Sequence, residues 1–600
     1  MKHNVVTSDV LVIGGSGAGV MSALAAAKEG ASVVMAVKGK VGKSGNAIML
    51  GGSFGVDGVS ARKYCGEPEA NADYTPEKLF EKLVSCGFQI GDQRLQKHFV
   101  EMGPIAVAEL LEWVKEIGDR FVFSPKASRW RAGGVAFGRA LKHGLEQNRE
   151  ILVYEDTFIS DLLTCGGQVC GAVGMNVYTG ELVEFKAKAV ILCTGGYQPH
   201  SLKNTISDMT GDGIAMALRA GAKAKDMEFL LYIPTIVEPA YARGSLLPFQ
   251  CTMPNLFPIR EKATDLDGDE LVYSKDPKYK TNASNSKVKK LLMQYFYGEG
   301  MYKKWDQYGN RFYFDYSAYS EKDIYDAFEE MARQQSHWHR KGKYHFIDLK
   351  KLAGEIIANG RRWMVGFGNE YSMGGVVVDD TFFTGVPGLY AAGEVTSGLF
   401  GAFRSGDGLT EMLANGKVAG RSAGLYAAGA AQLEPDNLAQ AAGALTAPLG
   451  RTEGVSPVEA MRRIEAVCDE GFNFYRDGQR LEKAYTEICQ LRRSLDQMAA
   501  PGGERYNLEW MNSIAARNLA LCAESGLYSA LHRTESRGCH LRSDCPQVDN
   551  TNFRYSFAAS LHGGELEYEK AYPEAVYQPL DDRDYPDVGE CIVKTILEVE

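Results

Sequence analysis

The residues of this chain whose types and spacing first suggest chemistry are small ones. Gly14, Gly15, Ser16, Gly17, Ala18 and Gly19 follow the apolar run Val10–Ile13 and open an Ala-rich segment, within DVLVIGGSGAGVMSALAAAKEGASVVMAVK, Asp9–Lys38. The N–H groups at a helix start lack intrahelical partners, and together with the helix dipole they hold a phosphate. Residues this small let the backbone approach it closely. The chemistry implied is capture of a dinucleotide pyrophosphate.

Such a turn has to be held by a strand and a helix. Val10–Ile13 reads as a buried parallel strand, and Ser32–Val37 as its neighbour within one βαβ unit. Two positions depart from the usual pattern. Ser16 takes the place of its middle glycine, and Ala36, Val37 and Lys38 stand where an acidic residue would meet the ribose. The ribose therefore needs another partner, and Lys38 is counted among the nucleotide-contacting positions. A second glycine-dense stretch, Gly39–Gly58, carries Ser44, Gly45, Asn46, Gly51 and Gly52. It can lie flat on a planar ligand and bind it through backbone N–H groups.

Composition bounds the rest. With 600 residues, 45% of them hydrophobic and 24% charged, the chain reads as a soluble protein of several domains. A net charge of −10 argues against nucleic-acid binding. Twelve cysteines form neither a CxxC nor a Cys/His array, so no disulfide framework, iron–sulfur cluster or metal site is expected, and a reducing cytoplasm is. Val10–Ala27 is uncharged but glycine-rich and lacks a basic leader, so neither a membrane span nor a targeting segment is expected.

Along the chain, residues from Pro76 to Glu150 read as helical, followed by a β-meander that returns to a buried strand, Ala189–Cys193, and a tight turn at Thr194, Gly195 and Gly196. A helix with Asp212 in its first turn comes next. From Asp226 to Phe346 aromatics, Lys and Asp dominate, which reads as an insertion. Strand-and-glycine character returns over Ser372–Val395, a helix follows from Leu409 to Ala427, and the chain beyond Leu433 is mostly amphipathic helix. His337, Trp338, His339 and His345 lack a matching carboxylate or Cys partner and read as a surface segment rather than a metal site.

In this order, the Gly14–Gly19 turn, SGNAIMLGG, Thr194–Gly196, TGDGIAMALRAGA leading to DMEF, GEG at Gly298–Gly300, GNRF at Gly309–Phe312, SMGG at Ser372–Gly375, PGLYAAGEV and ESRGCHLRSDCPQVDNTNF closely resemble the flavoprotein subunits of succinate dehydrogenase and fumarate reductase. Related L-aspartate oxidases and adenylylsulfate reductases share the likeness, which spans nearly the whole chain. It implies an α/β fold: a Rossmann-like FAD-binding domain in two parts, 1–230 and 351–432, an inserted α+β capping domain, 231–350, and a C-terminal helical domain, 433–600. It also implies that Gly14, Ser16, Gly17, Ala18 and Gly19 hold the FAD pyrophosphate and that Ser44, Gly45, Asn46, Gly51 and Gly52 lie along the flavin. Phe158 would border the adenine, and Thr194 and Gly195 would close the nucleotide pocket. Asp212 either contacts the cofactor or caps its helix. Glu394 would sit near the ribityl chain, and Gly408 and Leu409 would start a helix aimed at the flavin. Members that tether FAD do so through a His aligned with Gly45, so noncovalent FAD is expected.

On the substrate side the likeness breaks down. The two His that grip a dicarboxylate in the family align with Ile233 and Glu370. The proton-delivering Arg aligns with Lys322 before Asp323, with Tyr319 as an alternative. The Arg of the HGANR motif persists as Arg404 in FGAFR, while its His and Asn become Phe400 and Phe403. A pocket of Ile233, Tyr371, Phe400 and Phe403 desolvates a dianion poorly, and Glu370 repels one, or else pairs with Arg361, Arg362 or Arg404. The expectation is an FAD-dependent enzyme reducing an activated C=C bond of an enoate or enone other than fumarate, with Arg404 polarising the substrate and Lys322 giving the proton. The alternatives are adenylylsulfate-reductase-like adduct chemistry and the role of an electron-carrying flavoprotein within a larger iron–sulfur complex. A separate electron donor, such as an iron–sulfur protein, is expected as partner.

Overall fold

A computed structural model describes residues 2–49, 51–203, 209–253, 256–271, 288–334 and 342–597. Strand β1 (His3–Ile13) leads through Gly14–Ser16 into helix α1 (Gly17–Lys28) and back to β2 (Val33–Ala36). After an excursion come β3 (Leu152–Tyr154), β4 (Thr157–Cys165), β5 (Gln168–Asn176) and β6 (Leu182–Leu192). They form one sheet in the order β3-β2-β1-β6-β5-β4. β1 pairs in parallel with both β2 and β6, and the meander β4–β5–β6 is antiparallel. The β1 run is buried on both faces, as central parallel strands are, which explains its unbroken apolar sequence.

The excursion departs from expectation. Besides the helices Pro76–Cys86, Gln93–Glu116 and Gly134–Glu146, the excursion holds a small antiparallel sheet of Gly51–Gly55, Val122–Ser124 and Arg129–Gly133. The helical reading over Pro76–Glu150 overlooked its last two strands.

The cap is an antiparallel sheet of β7 (Leu230–Ile236), β8 (Lys262–Thr264), β9 (Phe312–Asp315) and β10 (Arg362–Ser372), in the order β7-β10-β9-β8. Helices α2 (Lys289–Tyr302) and α3 (Glu321–Gln334) belong to the same insertion. Because β10 continues to Ser372, the cap sheet reaches past the expected boundary at residue 350. Of the histidine-rich segment, His337, Trp338 and His339 lie outside the described residues, while His345 sits edge-on to Tyr344.

The chain then returns to the first sheet through β11 (Leu389–Ala391), parallel to β6, and enters α4 (Gly408–Gly429). α4 lies directly on α1. A Cβ added at Gly416 would come within 2.5 Å of the Ala18 carbonyl, and one at Gly420 within 2.2 Å of the Ser22 carbonyl. Small residues four apart thus bring the two backbones together and fix the start of α4 beside the start of α1. The C-terminal region is helical around α5 (Leu508–His532), with one addition: a hairpin, Ser556–His562 and Glu565–Ala571, completes a small sheet with Ala224–Lys225 and Gly375–Val376. Among the described residues no helix is long and apolar enough to cross a membrane.

Candidate active site

A cavity of about 630 Å³ runs from the turn after β1 to the cap. Its first part is built by backbone. Gly14, Gly15, Ser16 and Ala18 line it, opposite Lys38, Phe158, Thr194 and Gly195. Lys38 Nζ stands 4.2 Å from the centroid of the Phe158 ring and 3.3 Å from Asp212. Asp212 also accepts from Thr210 Oγ1 at 3.0 Å and from Asn518 Nδ2 of α5 at 2.8 Å. It lines the cavity but caps nothing, since the cap position is Gly211. Gly17 and Gly19 do not line the cavity; they are packing residues. A Cβ on Gly19 would fall 2.0 Å from the Gly14 carbonyl, and one on Gly17 would strike Met412 of α4. Gly15, named in the turn but not among the residues expected to hold the pyrophosphate, faces the cavity beside Gly14.

Ser44, Gly45 and Asn46 form the middle of the wall. Ser44 Oγ closes the loop on itself, accepting from Lys40 N at 2.7 Å and donating to Lys40 O at 2.8 Å. Gly51 and Gly52 start the strand Gly51–Gly55. Glu394 faces the cavity and accepts from Ser372 N at 3.2 Å, and burial pushes its carboxyl up to about 8. Gly408 and Leu409 line the cavity at the N-terminus of α4. The residue before them, Asp407, adopts φ +74°, an uncommon conformation for a side-chain-bearing residue. Arg129 Nη2 holds it at 2.6 Å and Lys82 Nζ at 3.5 Å. Burial alone would raise the Asp407 carboxyl, but Arg129 and Lys82 hold it below the ordinary range.

At the cap end the cavity gains ionisable groups. Lys290 Nζ lies 2.6 and 2.7 Å from the two carboxylate oxygens of Glu370, and Arg404 Nη2 is 3.3 Å from the same carboxylate. A lone buried carboxylate costs several kcal/mol. Burial would raise Glu370, but Lys290 and Arg404 outweigh it and keep it below the usual range. Burial lowers Lys290. The Arg404 guanidinium stacks on Tyr371, 3.9 Å from its centroid, and Tyr371 donates its hydroxyl proton to Glu411. Burial pushes Glu411 up to about 7.

Glu394 and Glu411 therefore keep protons in the folded state that the unfolded chain releases near the usual glutamate value of 4.5. Their contribution to stability then falls as pH rises from about 5 to 8, opposed by His200 and His540, which burial keeps neutral. Thermal melts over that window are expected to differ in slope between wild type and Glu411→Gln, the wild type losing more midpoint as pH rises. Equal slopes would contradict the protonation assigned to Glu411.

The geometry corrects three expectations. Lys322 lies outside the cavity: its side chain is 81% exposed and pairs with Asp326 one turn along α3. Tyr319 also points elsewhere, its hydroxyl accepting from Arg260 N at 3.0 Å. Phe400 and Phe403 are buried without lining the cavity, Phe400 lying edge-on beneath Tyr371. Ile233, Tyr371, Glu370 and Arg404 do meet in one place. Glu370 finds Arg404, as one expectation had it, but its nearer partner is Lys290.

Sequence reasoning missed Lys82, Arg129, Arg131, Lys289 and Lys290. A signal existed for one pair: Arg129 and Arg131 alternate along a strand and so share a face. Lys289 donates to the Thr252 carbonyl, and burial lowers its ammonium to about 8. Arg131 has no ion-pair partner among the described residues. Among the described residues, seven cationic side chains line the cavity against three carboxyls, Asp212, Glu370 and Glu394. That excess suits a pyrophosphate at one end and a further anion at the other. The buried hydroxyl of Thr194, without a hydrogen-bond partner, offers a contact to the same ligand. The residues present thus fit an FAD.

Comparison with known proteins agrees. A family model described as FAD binding domain matches residues 9–410, and one described as Fumarate reductase flavoprotein C-term matches 461–585. The fumarate reductase flavoprotein subunit of Mycobacterium tuberculosis is 28% identical over 599 residues, covering 92% of this chain and 94% of that one. Among solved structures, a quinol fumarate reductase chain of E. coli superposes with a TM-score of 0.79 at 23% identity, over 96% of this chain and 98% of that one. Adenylylsulfate reductase from Archaeoglobus fulgidus reaches 0.74 at 17% identity, over 97% of both chains. These two structural likenesses speak to the fold. The family models go further: the chain belongs to the FAD-dependent oxidoreductase family of fumarate reductase and succinate dehydrogenase flavoprotein subunits.

Proposed function

We propose that this chain reduces an activated C=C bond conjugated to a carboxylate or carbonyl, and that fumarate is not its substrate. The observation that carries this reading is the run Arg404–Glu370–Lys290 lining the same cavity as the nucleotide turn and the start of α4. Bound FAD supplies the hydride. Arg404 is the residue that binds and polarises the substrate's carboxylate or carbonyl, its fork held flat by Tyr371 and aligned by Glu370. The N-terminus of α4, with Gly408 and Leu409, favours negative charge that develops beside it.

Lys290 takes the proton-donor role first expected of Lys322. Burial lowers its ammonium, which improves it as an acid near neutrality, and Glu370 holds it in place. Glu370 is thus a positioning carboxylate rather than a base. Ile233 and Phe249 line the cavity beside this run, and a second carboxylate placed against them, away from the cations, costs several kcal/mol; that is the ground for excluding fumarate.

The noncovalent expectation for FAD stands on Gly45, which offers no side chain for attachment. Denaturing the holoprotein is expected to release all of its flavin into solution, and yellow colour left on the precipitate would contradict this. Electrons come from a separate donor, for which an iron–sulfur protein is our choice. The twelve free cysteines, eight of them buried, suit a reducing cytoplasm.

The reading is tested by turnover with reduced methyl viologen and a panel of enoates and enones. Two viologens oxidised per saturated product formed is the expected result. A panel in which nothing reoxidises viologen above background would sink the proposal.

A further inference from the structure

The cap contributes an apolar face to the cavity that the chemistry above leaves unused. Ile233 comes from β7, Phe249 from the short helix Leu247–Cys251, with Leu246 before that helix and Met253 after it, and Leu256 follows. This face adjoins the charged run directly. The centroid of the Phe249 ring is 5.5 Å from Lys290 Nζ, which is bound to Glu370, which in turn is bound to Arg404. Ile233 sits on β7, which pairs with β10, the strand that carries Glu370; Ile233 lies opposite Gly368 and Leu231 opposite Tyr371. The compartment is therefore amphiphilic over a short distance, with the Arg404 guanidinium at its base and, among the described residues, five apolar side chains above. The polar groups on its rim are engaged: Gln250 donates to Tyr344, and Lys289 donates to the Thr252 carbonyl.

Resting on the C=C-reduction reading, we infer that the substrate is a monocarboxylic enoate whose β-carbon carries an aryl or branched-alkyl group, and that this group lies against Ile233, Leu246, Phe249, Met253 and Leu256. The carboxylate is held by Arg404. A hydride adds to the β-carbon as the C=C π bond breaks, and the proton on Lys290 goes to the α-carbon, so that R–CH=CH–COO⁻ takes up two electrons and two protons to give R–CH₂–CH₂–COO⁻. The electrons come from an external one-electron donor by way of the flavin. A single methylene too many or too few in such a pocket changes kcat/KM by about 10- to 200-fold, and a phenyl ring exceeds a methyl group by more than one such unit, so the discrimination is expected to reach at least that range.

The FAD-loaded full chain is assayed with reduced methyl viologen on cinnamate, crotonate and fumarate. Cinnamate is expected to exceed crotonate in kcat/KM by about 10- to 200-fold, with fumarate below both. Phe249→Ala should cut the cinnamate-to-crotonate ratio about 10-fold or more while retaining FAD. A measurement on wild type guards against a variant that folds badly: 3-phenylpropionate should perturb the flavin spectrum at concentrations at least about 10-fold lower than butyrate does. Crotonate equal to cinnamate, together with equal affinity for the two saturated acids, would overturn the inference and leave C=C reduction intact. Failure of every enoate would overturn the underlying reading and this inference with it.

Discussion

Arg404→Ala yields a protein that keeps its FAD and loses turnover by a factor of about 10² to 10³, the range measured when one preorganised charge-stabilising donor is removed. The loss is in chemistry rather than in folding, for a local reason. Glu370 keeps Lys290 at 2.6 Å, so the substitution does not strand a buried carboxylate. Tyr371 keeps its bond to Glu411. Arg404→Lys restores charge without the planar fork and is expected to recover only part of the rate. Flavin content by absorbance and kcat/KM by viologen oxidation check both statements. Wild-type rates in Arg404→Ala would remove the residue from the site.

Lys290→Met separates the two candidate proton donors. A positioned acid contributes about 10²- to 10⁴-fold, and that loss is expected in kcat for Lys290→Met. Lys322→Ala should leave kcat unchanged, because its ammonium is solvated and paired with Asp326. The pH profile adds a second readout. In wild type, kcat should fall on the alkaline side as Lys290 loses its proton, at a pH below the ordinary lysine range because burial lowers it. That limb should be missing from Lys290→Met. A drop in kcat with Lys322→Ala and none with Lys290→Met would reverse the assignment.

The nucleotide half of the site was legible because its signal is local. A βαβ unit needs an apolar strand, a turn of small residues and a helix in sequence, and all three lie between Asp9 and Lys38. Even there the pattern did not separate glycines that face the ligand from Gly17 and Gly19, which let α1 approach α4 and β1. Lys322 shows a different failure. It was carried over by alignment, yet the helix period argued against it. Ile324, Ala327, Phe328 and Met331 form the buried stripe of α3, and Lys322 projects from the opposite side.

Lys290 left no such trace. It stands in KVKKLLMQY, where adjacent lysines at a helix start look like a solvated end. Its burial against Glu370 depends on how α2 meets β10, two elements far apart in the chain. Phe400 and Phe403 were placed by alignment in the substrate pocket; only the fold put one of them behind Tyr371 instead. Side chains brought together by the cap were hidden for that reason, whereas the turn that defines the family was not.

The rebuilt cavity is expected to pass a hydride and a proton to an enoate and not to fumarate. The most direct measurement is a single turnover without any electron donor. The bound flavin is reduced photochemically under anaerobic conditions and mixed in a stopped-flow cell with cinnamate, crotonate, an enone or fumarate, and reoxidation is followed in the visible spectrum. Rapid reoxidation by an enoate, with one saturated acid formed per flavin and fumarate inert, is the predicted result. Rapid reoxidation by fumarate, or a flavin that stays reduced with every C=C acceptor while an iron–sulfur protein oxidises it, would contradict the claim.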